Sequence, residues 1–333
     1  MKNIKNISVI GDGGWGTTLA ILLSQKKYNV TLWGAFPEYT ESLKQKRVNT
    51  KFLPDVKIPD EVIITSSLDE AAKGKDLIVL AVPSQHMRSV LTKLKAYKFS
   101  GEIFVSVTKG IENKSLKRMS EVIKEMLGDV AFVVLSGPTI AHEVALKAPT
   151  TIAASSEEME LARAVQDVFM TDAFRVYASG DVIGTELGGS LKNVIAIAAG
   201  ICDGLKFGTN AKAALLTRGL VEMVRLGVAM GAKKETFYGL SGLGDLATTC
   251  ISRYSRNRHF GEEIGKGMVL KDALKETEMV VEGVATTQSA YDLAKKYKID
   301  MPITSEIYKV IYENKDPKKA VYDLMTRPPK SEA

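Results

Sequence analysis

Lys192 lies inside the run GTELGGSLKNVIAIAAGICDG, and on a helix its neighbours three, four and seven positions away are Thr185, Gly188, Gly189, Ile195, Ala196 and Ala199. A long cation on a face of mostly small residues is open to close approach by another backbone or by a ligand. Partial desolvation makes a lysine release its proton more readily, and that suits acid–base chemistry at a carbonyl. The alternative is a lysine that snorkels out of a buried helix. Its mid-helix place, the adjoining Asn193 and the fourteen-residue gap to the next lysine weigh for chemistry. A second lysine, Lys109, follows the apolar run 105–108 and precedes Gly110. A lysine held between a strand end and a glycine projects into the crevice where open α/β sheets bind ligands.

Further residues fit around these two. The run GLSGLGDLATTC carries Asp245 and Thr249, four apart and on one face if that segment is helical. SRYSRNRHFG reads as a helix start, with Ser255 as N-cap and Arg256 and Asn257 in the first turn. Exposed N–H groups, the N-terminal dipole and an arginine fork together make a phosphate site, the alternative being a solvated capped helix. LSGPT sets Gly137, Pro138 and Thr139 after one apolar run, and AVPSQ sets Pro83 and Ser84 after another. Both prolines also read as plain strand terminators. Glu282 in VVEG is open to two readings, a contact to a ribose hydroxyl or a surface glutamate. In SVIGDGGWGTTLA, Gly11, Gly13 and Gly16 have G-x-G-x-x-G spacing. That spacing lets a backbone turn tightly, approach a pyrophosphate and aim a helix N-terminus at its charge.

The elements that must position these residues change in rhythm along the chain. Short apolar strands are expected near 6–11, 29–33, 62–65, 77–82, 103–108, 132–136, 151–154 and 174–177, with amphipathic stretches at 16–26, 84–94 and 115–127. Such alternation predicts an α/β, Rossmann-like, mostly parallel sheet covered on both faces. It also places the glycine run between a strand and a helix, as a dinucleotide cradle requires. Beyond residue 178 helical patterns dominate, at 182–204, 211–230, 255–266, 270–277, 286–297, 305–313 and 317–325. We therefore expect a dinucleotide-binding domain over 1–180, an all-helical C-terminal substrate and catalytic domain over 181–327, and a flexible tail over 328–333. The active site is expected between the two domains.

Composition excludes several classes. The 333 residues carry a net charge of +6, with Lys and Arg scattered even in the basic C-terminal segment, so no nucleic-acid role is called for while a phosphorylated substrate is compatible. Cys202 and Cys250 stand in apolar surroundings, which implies no disulfide framework, and His86, His142 and His259 lack metal-ligand spacing. No apolar run reaches the roughly 18 residues of a membrane span. The expectation is a cytoplasmic protein without a metal and without membrane insertion.

Taken in order, IGDGGWGTTLA, FLPDV, VTKGIE, LSGPT, GGSLKNVIAIAAGICDGL, TRGLVEM, GLGDL, SRNRHFG, VVEG and MPITSEIY resemble, almost end to end, the bacterial NAD(P)-dependent glycerol-3-phosphate dehydrogenases. The resemblance implies a dinucleotide-binding domain joined to a helical one, and reversible reduction of dihydroxyacetone phosphate to sn-glycerol 3-phosphate for phospholipid synthesis. It implies NAD(H) or NADP(H) as cofactor and a homodimer. By motif, Lys192 would protonate the developing alkoxide and Lys109 would polarise the carbonyl and hold substrate, with Asn193, Asp245 and Thr249 arranging the site. Ser255, Arg256 and Asn257 would hold the substrate, Arg256 on its phosphate and near the cofactor, and Gly137 and Thr139 would line the site. Gly14, Trp15, Ala141, Val280 and Glu282 would join Lys109 at the dinucleotide, Trp15 as a lid or stacking residue. One departure stands out. After the second strand the run LWGAFPE has Ala35 and Phe36 where many relatives carry a basic residue, and no acid at the strand end. The choice between NAD and NADP is left open by that stretch. Two rivals are a related hydroxy-acid dehydrogenase, against which the SRNR and GGSLKN runs speak, and an inactive nucleotide sensor, against which both lysines speak.

Overall fold

The computed structural model describes residues 4–276, 280–329 and 331–332. In its first half, β1 Asn6–Ile10, β2 Asn29–Trp33, β3 Val48–Asn49, β4 Leu53–Lys57 and β5 Ile63–Thr65 are followed by β6 Leu77–Leu80, β7 Ile103–Ser106, β8 Ala131–Ser136, β9 Thr150–Ser155 and β10 Phe174–Ser179. Eight of them form one sheet in the order β10-β9-β8-β7-β6-β1-β2-β5. Neighbours run parallel except β8 and β9. The strands are apolar on both sides because both sides are covered. Along β6, Leu77 and Val79 enter one core with Val9, Leu19 and Leu32, while Ile78 and Leu80 enter another with Ile10, Leu91, Phe104 and Val122. The helices between are α1 Gly14–Gln25, α2 Pro37–Lys46, α3 Leu68–Ala72, α4 Met87–Leu94, α5 Met119–Leu127, α6 Ala141–Ala145 and α7 Met159–Phe169. The strand order reverses at β1, which lies between β2 and β6, and ligands of open sheets bind at such a switch point.

From Val182 onward the described residues form no strand. The helices are α8 Val182–Gly204, α9 Gly208–Ala229, α10 Asp245–Ile251, α11 Arg256–Gly265, α12 Leu270–Glu276, α13 Glu282–Tyr297, α14 Pro302–Tyr312 and α15 Pro317–Met325. α8 is the axis of this half and is buried along almost its whole length. Small residues allow that. A Cβ on Gly200 would collide with the Arg258 carbonyl and one on Gly261 with the Ile197 carbonyl, so α8 and α11 touch backbone to backbone. Asp181 caps α8 by accepting from the Gly184 amide at 2.9 Å, and its other oxygen accepts from Thr236 Oγ1 at 2.6 Å and the Lys233 amide at 2.9 Å.

All eight expected sheet strands are present, but several elements lie outside the pattern read from sequence. The β3–β4 hairpin and α2, α3, α6, α7 and α10 were not expected there. α5 starts at Met119 rather than 115, because Ile111 bridges Arg118 and Lys114 and Leu116 take positive φ in the intervening turn. α13 and α14 begin at Glu282 and Pro302, a turn earlier than their apolar periodicity suggests. The expected helix over 270–277 is observed to Glu276, with Thr277 outside the described residues. In the expected tail, Lys330 and Ala333 lie outside them too, and Pro328, Pro329, Ser331 and Glu332 have no regular structure. Among the described residues no helix is long and apolar enough to cross a membrane.

Candidate active site

The glycine turn closes tightly at the end of β1. Gly11 has φ +122, and a Cβ on it would sit 2.5 Å from the Ala81 carbonyl. A Cβ on Gly16 would collide with the Gly11 carbonyl, which is how closely α1 packs on the turn. Gly13 differs: nothing lies within 4 Å of its Cβ position. It is also the N-cap of α1 and offers no side-chain cap, so the first amides of a 12-residue helix face the open side of the turn. These features fit a pyrophosphate. Gly14 is covered by the β3–β4 hairpin, where its Cβ would lie 2.5 Å from the Phe52 carbonyl. Asn49 ties that hairpin down, donating to the Asp12 carbonyl at 2.8 Å and Thr17 Oγ1 at 2.7 Å while accepting from Tyr39 Oη and the Phe52 amide. Trp15 is not a lid. It packs on the sheet core, its ring 6.4 Å from that of Phe174. Ala141 faces α1, its carbonyl accepting from Thr18 Oγ1 at 3.1 Å.

Two lysines converge on one carboxylate beyond the strand ends. Lys109, just past β7, has its Nζ 2.6 Å from Asp245 Oδ2 and donates to the Gly137 carbonyl at 2.8 Å and Thr139 Oγ1 at 3.1 Å. Those three partners use all three of its N–H groups. Lys192, in mid-α8, donates to Thr249 Oγ1 at 2.6 Å and lies 3.1 Å from Asp245 Oδ1. At least one of its N–H groups therefore has no protein partner among the described residues. Thr249 passes its own hydrogen bond to Asp245 Oδ1 at 3.2 Å, across one turn of α10. Lys192 is 6% exposed and Asp245 2%, so the charges meet where water screens them little. Burial lowers the Lys109 pKa to about 8, against the pull of Asp245 and with the push of Lys192.

The local sequence explains the convergence. Gly188 and Gly189 stand one turn before Lys192; a Cβ on the first would collide with the Ser241 carbonyl and one on the second with Ser136 Oγ. The small face therefore admits β8 and the π-turn Leu240–Gly244, which leads directly into Asp245. Ser241 fixes that turn by donating to the Ser136 carbonyl at 3.1 Å. Next to Lys192, Asn193 Nδ2 reaches the Lys109 carbonyl at 3.4 Å, and its Oδ1 accepts from Asn257 at 2.9 Å. Asn257 in turn accepts from the Gly283 amide at 2.9 Å, which joins α8, α11 and α13.

Ser255 caps α11 as expected from its spacing, accepting from the Arg258 amide at 3.2 Å. Arg256 is exposed and donates to the Val280 carbonyl at 2.9 Å. Glu282 is not a free surface glutamate. Its two oxygens accept from the Ser84 amide at 3.0 Å and Ser84 Oγ at 2.6 Å, latching α13 to the loop after β6. Pro83 thus directly precedes a contact that joins the sheet half to α13. Asn49, Asp181 and Ser241 escape sequence reasoning, and so does the Glu282 partner of Ser84, because each acts on a residue far along the chain. Only the Asn49 position carries a signal, since it belongs to the segment before FLPDV.

Residues 6–162 match the NAD-dependent glycerol-3-phosphate dehydrogenase N-terminus family, and residues 181–322 match the corresponding C-terminus family. The chain is 50% identical over 330 residues to a glycerol-3-phosphate dehydrogenase [NAD(P)+] of Syntrophotalea carbinolica, covering 98% of this chain and 99% of that one. It is 52% identical over 326 residues to a protein of the same name from a Thermoanaerobacter species, covering 98% of each. Its fold is similar to the crystal structure of glycerol-3-phosphate dehydrogenase from Coxiella burnetii, with a TM-score of 0.94 at 38% identity over 97% of this chain and 99% of that one.

Proposed function

The chain belongs to the NAD-dependent glycerol-3-phosphate dehydrogenase family and carries out that family's NAD(P)-dependent, reversible reduction of dihydroxyacetone phosphate to sn-glycerol 3-phosphate; on that premise we propose that Lys192 is its proton donor. One observation carries the assignment. Of the two lysines on Asp245, Lys109 spends every N–H on the protein, whereas Lys192 keeps one for a substrate oxygen.

The nicotinamide, when bound, supplies or accepts the hydride at the substrate carbon. Lys192 gives its proton to the carbonyl oxygen as that oxygen gains charge, and takes it back from the hydroxyl in the reverse direction. Asp245 holds both ammonium groups in place, and Thr249 sets the direction of Lys192 from the side opposite the substrate. Lys109, fixed by Gly137 and Thr139, brings a second positive charge to the oxygen in a site where such a charge acts at low dielectric. The capped N-terminus of α11 and the Arg256 guanidinium receive the phosphate, with Asn193 and Asn257 fixing the distance between the two ends of the substrate. Gly11, Gly13, Gly14 and Gly16 hold the pyrophosphate, and Ala141, Val280 and Glu282 border the dinucleotide. We assign 1–180 to cofactor binding and 181–327 to substrate binding and catalysis. A cytoplasmic homodimer completes the reading; the dimer is what the sequence resemblance implies, and the free, buried Cys202 and Cys250 fit a reducing compartment.

The test follows the absorbance of the reduced nicotinamide with dihydroxyacetone phosphate, and in parallel with unphosphorylated dihydroxyacetone and with 2-oxo acids. Turnover confined to the phosphorylated ketone is expected. Turnover of an oxo acid, or dinucleotide binding without any turnover, would overturn the reading.

A further inference from the structure

We propose that Asp12 selects the unphosphorylated adenosine ribose, so that this enzyme binds NADH in preference to NADPH. The inference rests on the glycine turn being the dinucleotide site. In an open α/β sheet the adenosine ribose of a dinucleotide on that turn reaches the end of the second strand, where an acidic side chain reads its 2′-hydroxyl. Here β2 ends in Trp33 and is followed by Gly34, Ala35 and Phe36, with no acid among them. The structure supplies one from the neighbouring loop. A Cβ on Gly34 would collide with Asp12 Oδ2 and come 2.5 Å from Thr40 Oγ1, so Asp12 occupies the space in which a side chain at position 34 would begin. The loops cannot drift apart, since the Gly11 amide donates to the Trp33 carbonyl at 2.9 Å and the Gly34 amide to the Thr65 carbonyl at 3.0 Å.

Asp12 is poised as a charge without a counter-charge. Its Oδ2 is buried and has no hydrogen-bond partner, while the residue as a whole stays partly exposed. Burial lifts its carboxyl pKa to about 6, which leaves it ionised at neutral pH. Oδ2 faces Gly34, and the exposed side of the same carboxylate is where a ribose hydroxyl, a donor of the right kind, meets it when the cofactor arrives. A 2′-phosphate would bring acceptors and negative charge to the same place.

Among the described residues no cation pairs with that charge. Ala35 and Phe36 are exposed and uncharged. Arg47 directs its guanidinium to the Pro59 and Val62 carbonyls, Lys51 lies over the Phe52 ring, and Lys44 and Lys46 sit in the last turn of α2. Like charges a few ångströms apart in a partly desolvated site are strongly unfavourable, so a discrimination of at least about tenfold is expected.

Equilibrium binding without substrate tests this, by fluorescence titration of the full chain and of Asp12→Asn with NADH and NADPH. Adenosine 5′-phosphate and adenosine 2′,5′-bisphosphate serve as fragments that carry only the ribose difference. The intact protein should bind NADH and the 5′-phosphate at least about tenfold more tightly than their 2′-phosphorylated counterparts. Asp12→Asn should collapse both ratios, mainly by tightening the 2′-phosphorylated ligands, and Asp12→Ser should act alike. Equal binding of NADH and NADPH by the intact protein, or a ratio unmoved in folded Asp12→Asn, would overturn the role of Asp12 while leaving the dinucleotide site standing. Failure of both dinucleotides to bind would overturn the site itself. Should the variants misfold, the fragment ratio of the intact protein still decides.

Discussion

The glycine turn is built from six consecutive residues, Gly11 to Gly16, and β1 and α1 hold them from either side. The lysine cluster draws Lys109 from the end of β7, Gly137 and Thr139 from the loop after β8, Lys192 from α8, and Asp245 and Thr249 from α10. Lys109 and Asp245 meet across 136 residues of chain and Lys192 and Thr249 across 57. One region is marked by what it lacks, side chains beyond the backbone at its glycines. The other is marked by charged side chains held in a mostly buried cluster. The first depends on local backbone geometry, the second on the packing of the whole helical half against the sheet. Binding and chemistry should accordingly be separable by mutation.

The largest separation is expected from Lys192→Ala. Loss of a general acid costs on the order of 10² to 10⁴ in rate, and here kcat should fall by about 10³ while the dinucleotide Kd stays within about twofold. A variant retaining more than about a tenth of kcat would place the donor elsewhere. Asp245→Asn comes next, because it strands two buried cations. Removing one partner of a buried ion pair costs about 3 to 5 kcal/mol, so the midpoint of urea unfolding should drop clearly and kcat should fall by roughly 10². An unchanged midpoint would mean that the cluster is wetter than its burial implies.

The glycine turn is probed by a matched pair. Gly16→Ala drives a methyl into the Gly11 carbonyl and should lower stability and dinucleotide affinity together. Gly13→Ala adds a methyl to open space, so thermal unfolding of the unliganded protein should be nearly unchanged while dinucleotide Kd rises by about tenfold or more. If both variants lost stability equally, Gly13 would be structural and the contrast between the two regions would weaken. The smallest effect is a pH limb. Burial holds Lys109 near 8, so raising the pH through that value removes its charge, and kcat/KM for the phosphorylated substrate should decline above it. Lys109→Gln should have lower kcat/KM throughout and lack that limb; a limb that persists unchanged in the variant assigns the titration to another group.

The elements legible in the sequence are those whose apolar pattern is long or uninterrupted. The strands of the large sheet and α8, α9, α11 and α15 fall where alternation and helical period put them. α2 is missed because only Thr40 and Leu43 in PEYTESLKQK are buried, too few to make a stripe. α3 and α6, of five residues each, are shorter than the period that would reveal them. α7 was within reach, since Ala162, Val165, Val168 and Phe169 form its buried face. Of the site, Ser255 as a cap follows from spacing alone, while Asp245 and Thr249 share a face only because the segment folds as α10. The packing of Trp15 on Phe174 carries no sequence signal, because the two rings are brought together from α1 and β10.

By itself the sequence determined the strand–turn–helix cradle, the change from sheet to helices near residue 180, and the small-residue face that lets other chain segments approach Lys192. Each is a matter of residue types within a turn or two of one another, and backbone sterics and apolar periodicity act over that range. Only the tertiary structure decided which carboxylate meets the two lysines, that Lys109 is saturated while Lys192 is not, that Glu282 is latched to Ser84, and that Asp12 fills the space beside Gly34. Those outcomes depend on where strands and helices remote in sequence come to rest. Such contacts are selected by the packing of the whole core, and no local spacing records them.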